Sequence, residues 1–177
     1  MNKENAFINI YAGRPGSGKT LWARQEIAAL MGDANNFVVY IGHADEMNYL
    51  EEMTKEKPGK LFLSKDTHFG QTIGTAIDMA NYATENESAD ESEEMQNNRK
   101  QVYIFCDQCR YSMGHGYRNL LVAAAQAGIC VNVLCQRFSQ VSRGNNDWLA
   151  EHGNCLIIAK GKAPRLAESD EVHQTYA

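Results

Sequence analysis

The residues best suited to chemistry are Gly13-Arg14-Pro15-Gly16-Ser17-Gly18-Lys19-Thr20, which fit the pattern G-x-x-x-x-G-K-[ST]. Glycines at these spacings let the backbone curl until its N–H groups converge on one spot, where they cradle a phosphate. A helix that opens at the end of the loop adds the positive end of its dipole to the same place. Lys19 is expected to reach the β and γ phosphates of a nucleotide, and Thr20 to put its hydroxyl on Mg²⁺, while Gly18 keeps the backbone close enough for contact. The pattern is specific only in context. Here an apolar run ends at Tyr11 and a helix-forming run opens at Leu21, so the expected ligands are ATP and Mg²⁺.

Val102-Tyr103-Ile104-Phe105-Cys106-Asp107-Gln108 is an apolar run that ends in an acid, and it resembles a Walker B strand. Asp107 is then a second Mg²⁺ residue, held at the carboxyl edge of a sheet where open α/β folds bind their ligands. The bland reading is an aspartate that caps the next helix. Gln108 stands where many similar ATPases carry the glutamate that serves as general base. An amide cannot take a proton, although it can orient water. Three readings follow: slow hydrolysis, another carboxylate such as Asp45 or Glu46, or a glutamate replaced to trap bound nucleotide. Cys130-Val131-Asn132-Val133-Leu134-Cys135-Gln136 is a further strand ending in a polar residue. Gln136 can contact the γ phosphate and the attacking water if its strand lies between those of the phosphate loop and Asp107.

These residues need a scaffold of alternating strands and helices. Apolar runs at Phe7–Tyr11, Phe37–Ile41, Lys60–Leu63, Val102–Cys106, Cys130–Cys135 and Cys155–Ile158 read as strands, several continuous enough to be buried on both faces. Helical patterns fall at Leu21–Met31, Asp45–Lys55, Gln71–Ala83, Gly116–Ala127 and Asn145–His152. The alternation predicts an α/β fold of three layers, with a mostly parallel central sheet and right-handed crossovers.

At 177 residues with 44% hydrophobic and 22% charged, the chain suits one domain that needs no disulfide or metal staple. An acidic insertion at 85–99 is expected to be a solvated or disordered loop, and a polar tail at 163–177 to pack loosely or lie on a neighbouring subunit. Cys106, Cys109, Cys130, Cys135 and Cys155 are odd in number and mostly among apolar residues, which suggests reduced thiols in a cytoplasmic protein. The C-x-x-C of Cys106 and Cys109 lacks a matching pair and reads as incidental. No apolar run approaches a membrane span, so no transmembrane segment is expected. A formal charge of -5 excludes wrapping of nucleic acid by bulk positive charge and leaves only a local patch.

The three elements in this order, followed by Gln136-Arg137-Phe138-Ser139-Gln140-Val141, resemble the FtsK/HerA division of P-loop ATPases. Within it, the short chains most resemble the genome-packaging ATPases of internal-membrane icosahedral phages, with the zonula-occludens-toxin-like assembly ATPases of filamentous phages as near relatives. The resemblance runs from about Phe7 to Ile158. It implies an ATP hydrolase whose homohexameric ring moves double-stranded DNA in the host cytoplasm or at a virion vertex, docked on a vertex or membrane protein. A small nucleotide kinase is one rival, disfavoured by the acidic character of the longest insertion, which repels phosphate. A nucleotide switch that barely hydrolyses is the other, and Gln108 suits it. In a ring, a cation from a neighbouring subunit can meet the charge developing on the transferring phosphoryl group. Arg118 and Arg143 are the candidates to project sideways, whereas Arg137 sits close to its own phosphate loop.

Overall fold

The computed structural model describes residues 8–85, 100–107 and 115–173. Gln108, Cys109, most of the acidic insertion and the last residues of the tail lie outside the described residues. The strands are β1 (Ile8–Ala12), β2 (Asn36–Gly42), β3 (Lys60–Lys65), β4 (Gln101–Asp107), β5 (Cys130–Cys135), β6 (Gly153–Ile157) and β7 (Arg165–Leu166). Between them lie α1 (Lys19–Leu30), α2 (Ala44–Thr54), α3 (Phe69–Glu85), α4 (His115–Gln126), α5 (Phe138–Ser142), α6 (Asn146–His152) and, last, α7 (Ser169–His173). One seven-stranded sheet runs in the order β3-β2-β4-β5-β1-β6-β7. All neighbours pair in parallel except β6 and β7, which are antiparallel.

The apolar runs are continuous because both faces of the sheet are covered. Alternate strand residues feed two separate cores. Ile8, Ile10, Val39, Ile41, Ile104, Val131 and Val133 pack with Ile73, Leu121 and Val141 of α3, α4 and α5. Tyr11, Val38, Tyr40, Phe105 and Leu134 face the other way, onto Ala23 and Ile27 of α1 and Leu50 of α2. The expected layers of helix, sheet and helix are therefore present.

Three asparagines fix the register of the middle strands. Asn9 lies opposite both Asn132 and Asn154. Asn154 Nδ2 donates to Asn9 Oδ1 at 3.1 Å, and Asn9 Nδ2 donates to Asn132 Oδ1 at 3.2 Å. A slip of one residue would break this chain and turn each amide into the opposite, apolar core.

The C-terminal region departs from the simple picture of a tail. Arg165–Leu166 adds the antiparallel edge strand, and Ser169–His173 folds back as a short helix. The two-residue strand is too short for a period to show in the sequence.

Candidate functional site

The loop Gly13–Gly18 leaves β1 at the carboxyl edge of the sheet and opens α1 at Lys19. Its geometry requires glycine for two reasons. Gly16 and Gly18 have φ of 78° and 94°, in the region that disfavours side chains. Gly13 is needed for close approach, since a Cβ there would fall 2.4 Å from Ser17 Oγ and 2.6 Å from the carbonyl of Ile158. The Gly13 N–H donates to the Cys135 carbonyl at 3.2 Å, which ties the loop to β5. The Ser17 N–H donates to the Arg14 carbonyl at 3.0 Å and closes the turn, leaving Arg14 and Pro15 exposed.

Lys19 is only 6% exposed. Its Nζ donates to the Gly13 carbonyl at 2.6 Å and to the Arg14 carbonyl at 3.1 Å, with Ser17 Oγ at 3.5 Å. The ammonium thus sits inside the curl of the loop, where a phosphate oxygen could replace a carbonyl as its partner.

Thr20 and Asp107 meet across 87 residues of sequence. Thr20 Oγ1 donates to Asp107 Oδ2 at 3.0 Å. The same oxygen accepts from Tyr40 Oη at 3.2 Å. Burial pushes the Asp107 carboxyl above its ordinary range, against the two hydroxyl bonds and the charge of Lys19, which favour the ionised form. The sequence does not point to Tyr40 as a site residue. The one available signal was that a buried tyrosine needs a partner for its hydroxyl, but nothing in the strand pattern says which. Gly42 belongs to the same arrangement, because a Cβ there would lie 2.7 Å from Tyr40 Oη.

Hydroxyl and carboxylate oxygens are a donor set suited to Mg²⁺, which is held by one or two carboxylates together with phosphates and waters. Thr20 and Asp107 fit that requirement. Among the described residues, no group of three histidine, cysteine or acidic side chains is placed to hold a metal by itself.

The strand order meets the condition set for Gln136. β5 lies between β1 and β4, so Gln136 emerges between the Gly13–Gly18 loop and Asp107. Its N–H donates to Gln140 Oε1 at 2.8 Å, which holds the backbone at this point. Glu46 lies near enough to Asp107 for its charge to be felt there. It is engaged by Arg24 of α1, whose Nε donates to Oε2 at 2.9 Å and whose Nη2 pairs with Oε1. The guanidinium of Arg24 also lies 3.9 Å from the centre of the Tyr49 ring. Asp45 is exposed in the first turn of α2.

The arginines separate. Arg118 Nη1 donates to the Ser142 carbonyl at 2.8 Å, and its guanidinium lies 5.7 Å from the Trp148 ring, so it ties α4 to α5 and α6 of its own chain. Arg143 is exposed at the end of α5, with φ of 53°. Arg137 is exposed and borders a cavity beside the Gly13–Gly18 loop. Cys130, Cys135 and Cys155 are free thiols. Burial raises the Cys135 thiol to about 12 and Cys155 to about 11, so both are protonated at neutral pH. Among the described residues, no helix is long and apolar enough to cross a membrane. No protein-family model and no curated protein matches this sequence.

Proposed function

We propose that the chain binds Mg²⁺-ATP at Gly13–Thr20 and hydrolyses it, and that turnover drives double-stranded DNA through a ring of identical subunits during packaging of a viral genome. The observation that carries the hydrolase reading is the hydrogen bond from Thr20 to Asp107. It joins the end of the loop to the end of β4, bringing a hydroxyl and a carboxylate, both oxygen donors suited to Mg²⁺, within 3.0 Å of each other.

In this reading the loop amides and the first turn of α1 receive the phosphates. Lys19 exchanges the carbonyls of Gly13 and Arg14 for β and γ phosphate oxygens, replacing dipole contacts with charge-assisted bonds. Mg²⁺, when bound, neutralises charge on the β and γ phosphates. Gln136 orients water for attack on the γ phosphorus. A bond forms from the water oxygen to phosphorus as the bond to the bridging oxygen breaks, ADP leaves on that oxygen, and the proton of the water passes to an oxygen of the released phosphate. Tyr40 and Thr20 hold the Asp107 carboxylate in place.

The DNA-moving part rests on the resemblance to the FtsK/HerA division, as do the hexameric ring and a docking partner at a vertex or membrane. A nucleotide switch is the second reading. Two observations favour it: Gln108 is an amide, and the neighbouring carboxylate of Glu46 is already engaged by Arg24.

The test is release of phosphate from Mg²⁺-ATP, with and without double-stranded DNA and with an added nucleoside monophosphate. Release stimulated by DNA supports the motor. Transfer to the monophosphate points to a kinase, and tight binding with slow turnover throughout points to the switch.

A further inference from the structure

Asp107 ends β4 between two neighbouring strands, β5 on one side and β2 on the other. Gln136 follows β5, and α2 follows β2 with Asp45 and Glu46 in its first turn. The two acids part there. Asp45 is exposed, whereas the Glu46 side chain is only 13% exposed and its charge bears on Asp107. Burial and charge therefore favour Glu46 over Asp45 as the carboxylate of this edge of the sheet.

Glu46 is held by α1. Thr20 and Arg24 are four residues apart in that helix, so they share a face and stand about 6 Å apart along its axis. Thr20 bonds Asp107 and Arg24 bonds Glu46, so one face of α1 grips both acids. Arg24 Nε donates to Oε2 at 2.9 Å and Nη2 pairs with Oε1, a fork that engages both oxygens of the carboxylate. While the fork is closed, those oxygens face a cation and not a water. Tyr49, about one turn further along α2 and exposed, offers the same cation a second seat, its ring centre 3.9 Å from the guanidinium carbon. Arg24 can thus let go of Glu46 and keep a partner. The fork is also weak enough to open, since 29% of the Arg24 side chain is exposed and ion pairs open to solvent hold their closed state by no more than about tenfold.

We propose that Glu46 is the carboxylate that receives the proton of the attacking water, and that Arg24 is its latch, closed on Glu46 at rest and drawn onto Tyr49 during turnover. The inference rests on the hydrolase reading and adds to it a base and the residue that restrains it. With the latch open, Glu46 takes the proton as the water oxygen bonds to phosphorus and ADP leaves on the bridging oxygen. Glu46 then gives that proton to an oxygen of the released phosphate, which restores the carboxylate for Arg24 to close upon.

The experiment measures phosphate release at saturating Mg²⁺-ATP for the parent chain, Arg24→Met, Glu46→Gln and the double variant, with calorimetric affinity for Mg²⁺-ATP and thermal unfolding on each. Methionine keeps an unbranched apolar stem beside Tyr49 and has no donor for the carboxylate. Arg24→Met should release phosphate up to about tenfold faster, by the population that the closed fork withholds. Glu46→Gln should be slower by about tenfold or more, since a positioned base supplies about 10²–10⁴ and the latch holds back part of it. The double variant should match Glu46→Gln, and affinity should stay within about threefold of the parent throughout. Should Arg24→Met fail to fold, Arg24→Lys, which loses the fork and keeps the charge, should give a smaller rise in the same direction. An ion pair that only braced α1 against α2 would lower the rate from whichever side it was broken. An Arg24→Met rate at or below the parent's, or a Glu46→Gln rate equal to it, therefore overturns the latch and leaves hydrolysis standing. A double variant that keeps the gain of Arg24→Met, or an affinity that moves with the rate by about tenfold or more, overturns it as well. ATP bound but hydrolysed by neither the parent nor Arg24→Met overturns the latch and the hydrolase reading together and leaves the nucleotide switch. Failure of every chain to bind ATP overturns the phosphate-loop reading with them.

Discussion

Replacing Asp107 by asparagine should stabilise the fold while removing a proposed Mg²⁺ ligand. The side chain is 2% exposed, and burial raises its pKa despite the hydroxyls of Thr20 and Tyr40 at 3.0 and 3.2 Å. The sign follows from linkage. Below the ordinary value of 3.8 the carboxyl is neutral in both states and carries no charge-burial cost. As pH rises through the folded pKa, the folded state must ionise a buried group that the unfolded chain ionises more easily, so stability is lost. Each unit of displacement costs about 1.4 kcal/mol. Asparagine has the same shape without the charge, and its Oδ1 can accept from both hydroxyls. A net gain of about 1 kcal/mol at neutral pH is expected once the imperfect fit of the new amide is counted. For a chain of this size that raises Tm by about 2–4 °C. Thermal unfolding of Asp107→Asn and parent near neutral pH and near pH 4 reads the stability term, and titration with ATP with and without Mg²⁺ reads the metal term. The variant should melt higher at neutral pH, lose that advantage in acid, and show no gain in ATP affinity from Mg²⁺. A lower Tm at neutral pH refutes the burial cost, and an undiminished effect of Mg²⁺ refutes the metal role.

Lys19→Ala removes an ammonium that would bond two phosphates, and each charge-assisted bond is worth about tenfold to a hundredfold in affinity, so titration should show ATP binding abolished or weakened to that degree. Gln108→Glu restores a group able to take a proton and should raise the rate of phosphate release; a rate equal to or below the parent's counts against a lost base. Glu171 is held at about 2, chiefly by its bonds from Arg165, so its contribution is present above the ordinary 4.5 and is lost only as pH falls toward 2. Hydrogen exchange at the Ala167 amide, corrected for intrinsic rates, should accordingly show constant protection from about pH 8 to pH 5. Arg143→Ala chains mixed with Lys19→Ala chains should recover phosphate release at mixed interfaces if an exposed arginine acts between subunits. Arg118→Ala should instead lower stability by about 1–2 kcal/mol through its lost bond to Ser142, read as a fall in Tm.

The strand, glycine turn and helix around Gly13–Gly18 were legible because they are contiguous, and each has a local steric or hydrogen-bonding cause. The strand runs were legible in position and less so at their ends. β4 extends through Asp107, and the run expected at Cys155–Ile158 forms its strand over Gly153–Ile157. Burial on both faces makes the runs apolar throughout, which reveals a strand while hiding where its hydrogen bonds stop.

From sequence alone come the loop, the class of fold and the acid that closes an apolar strand, because each is written in adjacent residues. Tertiary structure alone decided that β5 inserts between β1 and β4, that Tyr40 shares Asp107 with Thr20, and that Arg165 fastens Glu171 beside a cavity the loop helps to line. Strand order is set by which runs pair across more than a hundred residues, as the bond from Asn9 to Asn132 does. Such pairings depend on the fit of side chains brought together by folding, and no local period or propensity records which partner a buried hydroxyl or carboxylate will meet.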